Sequence, residues 1–124
     1  MDKFIVAVDG PAGSGKSTIS KIVARELELT YLDTGAMYRM VTLAVIKNKV
    51  DTENLSEVKD LLDNIKLDIV KDKFYLNNED VSEAIRGVEV TNNVSRVAAI
   101  KVVRENLVDM QRTISEGKRV ILDG

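Results

Sequence analysis

From residue 10 to residue 18 the chain reads Gly10-Pro11-Ala12-Gly13-Ser14-Gly15-Lys16-Ser17-Thr18, and no other stretch limits its fold so tightly. The first eight of these residues satisfy G-x-x-x-x-G-K-[ST], the pattern of a phosphate-binding loop. Glycines at 10, 13 and 15 permit backbone conformations barred to bulkier residues, so that several N–H groups can turn inward on one phosphate chain. Lys16 supplies a point charge for β- and γ-phosphates, and Ser17 an oxygen for Mg²⁺. The flanks suit the motif. Lys3-Phe4-Ile5-Val6-Ala7-Val8-Asp9 has strand character, and Ile19, Ile22, Val23 and Leu27 recur afterwards at helical spacing. A helix opened by this loop adds its N-terminal dipole and unpaired N–H groups, which favour an anion. These residues describe a nucleotide-phosphate site; a Gly-rich turn without a ligand is the alternative that the flanks argue against.

Composition removes several other chemistries. The 124 residues suffice for one small domain with a core. A formal net charge of −2 gives no electrostatic reason to expect nucleic acid or an anionic membrane as a partner. Cysteine is absent, which excludes disulfides, thiolate metal sites and cysteine nucleophiles. Histidine is absent too, and with it the usual general base and zinc ligand. Met1-Asp2-Lys3 does not begin a signal peptide, and no apolar run approaches membrane-spanning length. The expectation is a soluble, cytoplasmic protein. No repeat, low-complexity tract or linker is visible. Arg119-Val120-Ile121-Leu122-Asp123-Gly124 reads as a buried strand that breaks off where a loop should begin, as expected of a fragment.

Between the loop and that strand the period changes twice. Thr30-Tyr31-Leu32 is a short strand, and Asp33 or Thr34 can cap the helix that follows from about Ala36 to Asn48. Met37, Met40, Val41, Leu43, Ala44, Val45 and Ile46 make this helix apolar nearly all round, which predicts burial on more than one side. Arg39 is the exception within it. Leu55, Val58, Leu61 and Leu62 mark a short amphipathic helix. From residue 65 the alternation of Ile65, Leu67 and Ile69 with Lys66 and Asp68 predicts a half-buried strand. Turns at Lys71-Asp72 and Asn77-Asn78, around Lys73-Phe74-Tyr75-Leu76, extend it into an antiparallel meander. Ser82 is expected to cap a short helix ended by Gly87, and Thr91 another helix carrying Val94, Val97 and Ala98. A last helix from about Lys101 to Glu116 presents Val103, Leu107, Met110 and Ile114 on one face, with Gly117 as its C-cap. The sum is an α/β sandwich with a grafted lobe.

Two segments carry a resemblance. Asp9 through Thr18, followed by Leu32-Asp33-Thr34-Gly35-Ala36-Met37-Tyr38-Arg39, resembles the bacterial cytidylate kinase family. Glu79-Asp80-Val81-Ser82 with Ile85-Arg86, Val94-Ser95 through Val97-Ala98-Ala99, Val103-Arg104 and Leu122-Asp123-Gly124 extend the likeness in the same order. The phosphate-binding loop is shared by many families; the D-T-G-A-M-Y-R run and the meander discriminate far better.

The resemblance implies an α/β, P-loop NTP hydrolase-type parallel sheet flanked by helices, carrying an inserted antiparallel meander at about 65–81. Residues 1–35 and 101–124 would form the core in part, and 36–100 the lobe that binds CMP. It implies transfer of the γ-phosphoryl group of ATP to CMP or dCMP with Mg²⁺, by a monomer. Gly10 through Thr18 then bind ATP, Thr34 and Arg39 the acceptor phosphate, and Ser95 and Arg104 the cytosine. Cytosine offers O2 and N3 as acceptors and an amine as donor, which an arginine fork and a serine oxygen can address; uracil would mismatch both. The family continues past its Asp-Gly with an Arg-Asp pair, an arginine-bearing lid helix and further strands. The sheet is therefore expected to be incomplete in this chain, with Phe4–Val8 on an open edge and the chain poorly stable, self-associating or accompanied by the remainder.

Each site residue also has a plainer reading. Arg39 can form a structural ion pair, with Asp33 as its partner. Arg104 taken alone is better read as an exposed helix charge pairing with Glu105 or Asp109. Ser95 and Thr34 can be surface or capping hydroxyls. Asp123 can orient Mg²⁺-bound water, as acidic residues at strand ends do in phosphate-loop proteins, or simply start a turn. Met37 and Met40 fill the core. Two rival functions are a P-loop kinase of another small metabolite, such as a shikimate or gluconate kinase, and a nucleotide-binding module without catalysis.

Overall fold

The computed structural model describes residues 4–8, 22, 30–70, 73–115 and 119–123. Its elements run β1 (Phe4–Val8), β2 (Thr30–Asp33), α1 (Thr34–Lys47), α2 (Leu55–Asn64), β3 (Leu67–Val70), β4 (Lys73–Leu76), β5 (Glu79–Asp80), a 3-10 turn (Ala84–Arg86), α3 (Val88–Ala98), α4 (Lys101–Ser115) and β6 (Arg119–Asp123). The architecture is mixed α/β, with one parallel and one antiparallel sheet.

In the parallel sheet β6 lies between β1 and β2 and runs parallel to both. Asp123 registers with Val8 on one side and with Asp33 on the other, so the three strands end together. In open α/β sheets this carboxyl edge is where ligands bind. Gly10 through Thr18 follow β1 and lie outside the described residues, as do the turn at Lys71-Asp72 and the Gly117 cap. Ile22, the one described residue of the helix expected after the loop, is helical. Among the described strands β1 is at an edge, as expected.

The lobe is organised around α1. Asp33 caps it by accepting a hydrogen bond from the Ala36 N–H at 3.1 Å. Eight of its residues are buried: Ala36, Met37, Met40, Val41, Thr42, Leu43, Ala44 and Val45. That burial extends round the helix because α2, β4, the 3-10 turn and α3 all pack against it. The one buried hydroxyl in that set, on Thr42, donates back to the Tyr38 carbonyl at 2.8 Å, so no polar group is stranded. At the other end the Asn48 side chain donates to the Ala44 carbonyl at 2.8 Å.

α2 is capped by Asn54, whose side chain accepts from the Glu57 N–H, and buries Val58, Leu61 and Leu62. The antiparallel sheet then pairs β3 with β4, placing Leu67, Ile69, Phe74 and Leu76 on its buried face. Asn77 (φ 51°) and Asn78 (φ 69°) are both left-handed and join β4 to β5 as a type I′ turn, whose twist suits a hairpin. Asn77 also accepts from the Lys66 N–H and returns its own N–H to the Lys66 carbonyl, both at 2.8 Å, which ties the turn to the entry of β3.

Two expected caps are corrected, those of Ser82 and Thr91, while Gly87 does end the short turn as expected. The Ser82 hydroxyl accepts the Phe74 N–H at 2.9 Å instead of capping, and the turn from Ala84 has no side-chain cap. Gly87 ends that turn with a φ of −64°, not left-handed, because it also starts α3. Thr91 lies inside α3, which begins at Val88; its hydroxyl is taken by Arg39 from across the lobe.

Ser82 has an electrostatic consequence. Its hydroxyl, then its backbone N–H, donate to the Asp80 carboxylate and hold that carboxyl below the usual range, with a smaller pull from Lys73. A carboxyl lowered on folding contributes stability that is complete above its unfolded pKa and is lost as pH falls through the native value. In Ser82→Ala the Asp80 midpoint, followed by carbon NMR, should rise toward the ordinary carboxylate range. An unmoved midpoint would remove the Ser82 hydroxyl as the main cause.

Candidate nucleotide-binding site

The carboxyl edge of the parallel sheet opens into a cleft of about 400 Å³ lined by Asp33, Gly35, Ala36, Arg39, Phe74, Ile85, Arg86 and Thr91. Asp33 ends β2, and α1 begins at the next residue, so strand edge and cleft are continuous. Gly35 keeps the cleft close to the cap: a Cβ there would stand 3.3 Å from Asp33 Oδ1, tight enough to displace it.

Arg39 is the cation that α1 contributes. Its Nη1 donates to the Ile85 carbonyl at 3.1 Å and to the Thr91 hydroxyl at 3.0 Å. Those two bonds use both hydrogens of Nη1. Among the described residues, the Nε–H and the two Nη2 hydrogens have no acceptor. The ion pair expected between Arg39 and Asp33 is not formed, because Asp33 caps α1 and Arg39 is held on the far wall. Arg86, at the end of the 3-10 turn, is exposed and lines the same cleft, so two guanidinium groups share it.

The remaining sequence candidates sit at different distances from this centre. Thr34 is the first residue of α1, between the cleft-lining Asp33 and Gly35. Ser95 is exposed on α3 one turn beyond Thr91, on the same helix face, and does not line the cleft. Arg104 is exposed in the first turn of α4. The pairings expected for it do not occur, since Glu105 pairs with Lys101 and Asp109 with Arg112. Arg104 therefore has no ion pair among the described residues. Asp123 is placed by its backbone at the carboxyl edge; Lys16, Ser17 and the rest of the loop lie outside the described residues.

Two cleft residues were given no binding role by sequence reasoning. In the sequence Thr91 reads as a cap, and Arg86 carries only a resemblance. The signal for Thr91 was its i, i+4 relation to Ser95, which puts both hydroxyls on one face of a helix. No cluster of three or more metal-ligating acids occurs among the described residues.

The cytidylate kinase family model matches residues 6–124. The chain belongs to the cytidylate kinase family. Its similarity to individual members runs the whole length of the chain. It is 57% identical to a cytidylate kinase of Fusobacterium nucleatum, 50% to one of Clostridioides difficile and 47% to one of Alkaliphilus oremlandii. In each case all of this chain is covered, and it spans 57% of the relative's length. Membership in the cytidylate kinase family implies a P-loop fold, in keeping with a parallel sheet whose first strand leads into Gly10–Thr18. No helix among the described residues is long and apolar enough to cross a membrane.

Proposed function

We propose that the protein acts as a cytidylate kinase, transferring the γ-phosphoryl group of ATP to CMP or dCMP in the cytoplasm. In this reading residues 1–35 and 101–124 belong to the P-loop core, and 36–100 form the lobe that binds the acceptor. The observation that carries it is Arg39, anchored through Nη1 with its Nε–Nη2 edge unused among the described residues, in a cleft shared with Arg86 at the sheet's carboxyl edge. A guanidinium edge offering two parallel N–H groups suits a phosphate.

The roles in this reading are those of the matching residues in the family pattern. Gly10, Pro11, Ala12, Gly13, Ser14, Gly15, Lys16, Ser17 and Thr18 cradle the donor phosphates, with Lys16 charged against the β- and γ-groups. Thr34 and Arg39 hold the acceptor phosphate, and Arg86 adds positive charge beside it. Ser95 and Arg104 read the cytosine. That Arg104 has no ion pair among the described residues suits a base contact better than a structural role. An oxygen from Ser17, with Asp123 acting through bound water, suits Mg²⁺, which takes few protein ligands and keeps water. Bound there, the ion would neutralise charge on the donor phosphates. Phosphoryl transfer depends on positioning and positive charge and needs no nucleophilic side chain, so a chain without histidine or cysteine is no obstacle.

Calorimetric titration with CMP, using UMP and AMP as controls, tests the proposal. A clear preference for CMP is expected, because a site that hydrogen-bonds one base rejects another that mismatches its donors. Equal binding of all three, or of none, would leave the acceptor site without support.

A further inference from the structure

We infer that Thr91 is a positioning residue for the acceptor phosphate, acting through Arg39; the inference rests on the reading of Arg39 given above. Arginine side chains lose considerable rotamer freedom when they are fixed, and that cost is met on binding unless the free protein has already met it. Here both hydrogens of Nη1 are held, one by the Ile85 carbonyl at 3.1 Å and one by the Thr91 hydroxyl at 3.0 Å. Two acceptors on one nitrogen fix the rotation of the guanidinium plane. They also decide which edge is left, namely Nε–Nη2, the edge that can form a two-pronged contact with a phosphate. A single acceptor would leave the plane free to turn about its bond to that acceptor. The Ile85 carbonyl is backbone and is present whatever the sequence; the second bond depends on the side chain at 91.

The hydroxyl of Thr91, though exposed, therefore has a use beyond capping. Thr91 is one turn before Ser95 on α3. The residue that orients the phosphate-binding cation and the residue proposed to read the base thus ride on one rigid helix face. Phosphate and base contacts are then held at a fixed spacing.

The test compares the unmodified chain with Thr91→Val, Thr91→Ser and Arg39→Ala, each titrated with CMP and with cytidine. Thr91→Val keeps the β-branched shape and removes the hydroxyl. It should weaken CMP about 3- to 10-fold, the net scale of an ordinary hydrogen bond, because Thr91 acts only through Arg39 and the other anchor remains. Cytidine, which has no phosphate, should bind unchanged, and Thr91→Ser should restore CMP binding. Loss of CMP and cytidine affinity together, or no loss in Thr91→Val, would overturn the inference. If Arg39→Ala weakens CMP and Thr91→Val does not, the inference alone falls; if Arg39→Ala leaves CMP unaffected, the reading of Arg39 falls with it. A ligand-free measurement checks the anchoring itself. Nitrogen NMR should show slow rotation of the Arg39 guanidinium in the unmodified chain and fast rotation in Thr91→Val. Equal rotation in both would overturn the inference.

Discussion

Met40→Ala should lower the unfolding free energy by about 2–5 kcal/mol, the range seen when a large buried side chain is cut to alanine and the cavity cannot collapse. Met40 is 0% exposed at the middle of α1, and Met37 and Val41 beside it are equally inaccessible. Elements pack on α1 from several sides, so relaxation of one neighbour cannot fill the space. Small domains have only about 5–15 kcal/mol in total, so this loss is a large share of the stability. The comparison variant is Lys47→Ala on the same helix. Its ion pair with Glu79, at 2.8 Å, is more than half exposed and should contribute less than about 1 kcal/mol. Denaturant melts of the two variants should differ widely in midpoint. Similar midpoints would mean that α1 is not the centre of the core.

The second large effect is expected at Arg39. Arg39→Ala should weaken CMP by at least roughly 10- to 100-fold, the scale of a single hydrogen bond to a charged group at about 1.5–3 kcal/mol. Cytidine should be much less affected. Stability should fall as well, since Nη1 joins α1 to the 3-10 turn and to α3. Arg39→Lys separates the two effects: it retains the charge and loses the fork. A lysine variant that bound CMP as well as the unmodified chain would mean that charge alone is needed, and the argument from the Nε–Nη2 edge would fail.

How far the sequence revealed this arrangement depended on the range of each interaction. Helix α1 was legible because its apolar residues surround the helix, and only burial on several sides accounts for such a pattern. The meander was legible because Leu67, Ile69, Phe74 and Leu76 alternate with polar residues and Asn77-Asn78 is a turn pair. Asp33 as the cap of α1 was legible because its partner is three residues away. The hydroxyls of Ser82 and Thr91 were misread for the opposite reason. A serine or threonine before an apolar run spells a cap locally, but these two are bonded to Phe74 and to Arg39, the latter 52 positions distant. The plainer reading of Arg104 failed in a related way, because its acidic neighbours were already claimed by Lys101 and Arg112. Gathering Arg86, Thr91 and Arg39 around one cleft required the packing of α1 on the 3-10 turn and α3. No spacing along the chain encodes that.

The order β1-β6-β2 also bears on how the chain acquires its shape over time. The only described partner of β1 is β6, so the strand that leads into Gly10–Thr18 pairs with residues made much later in synthesis. Pairings this distant in sequence form slowly, after local helices and hairpins, because the intervening loop must be closed first. The antiparallel meander and α1 can assemble while Phe4-Ile5-Val6-Ala7-Val8 is still waiting. An apolar strand without a partner is the kind of segment that chaperones shield and that aggregates when they do not. Phosphate binding at the loop should therefore be the last property the folding chain gains and the first it loses.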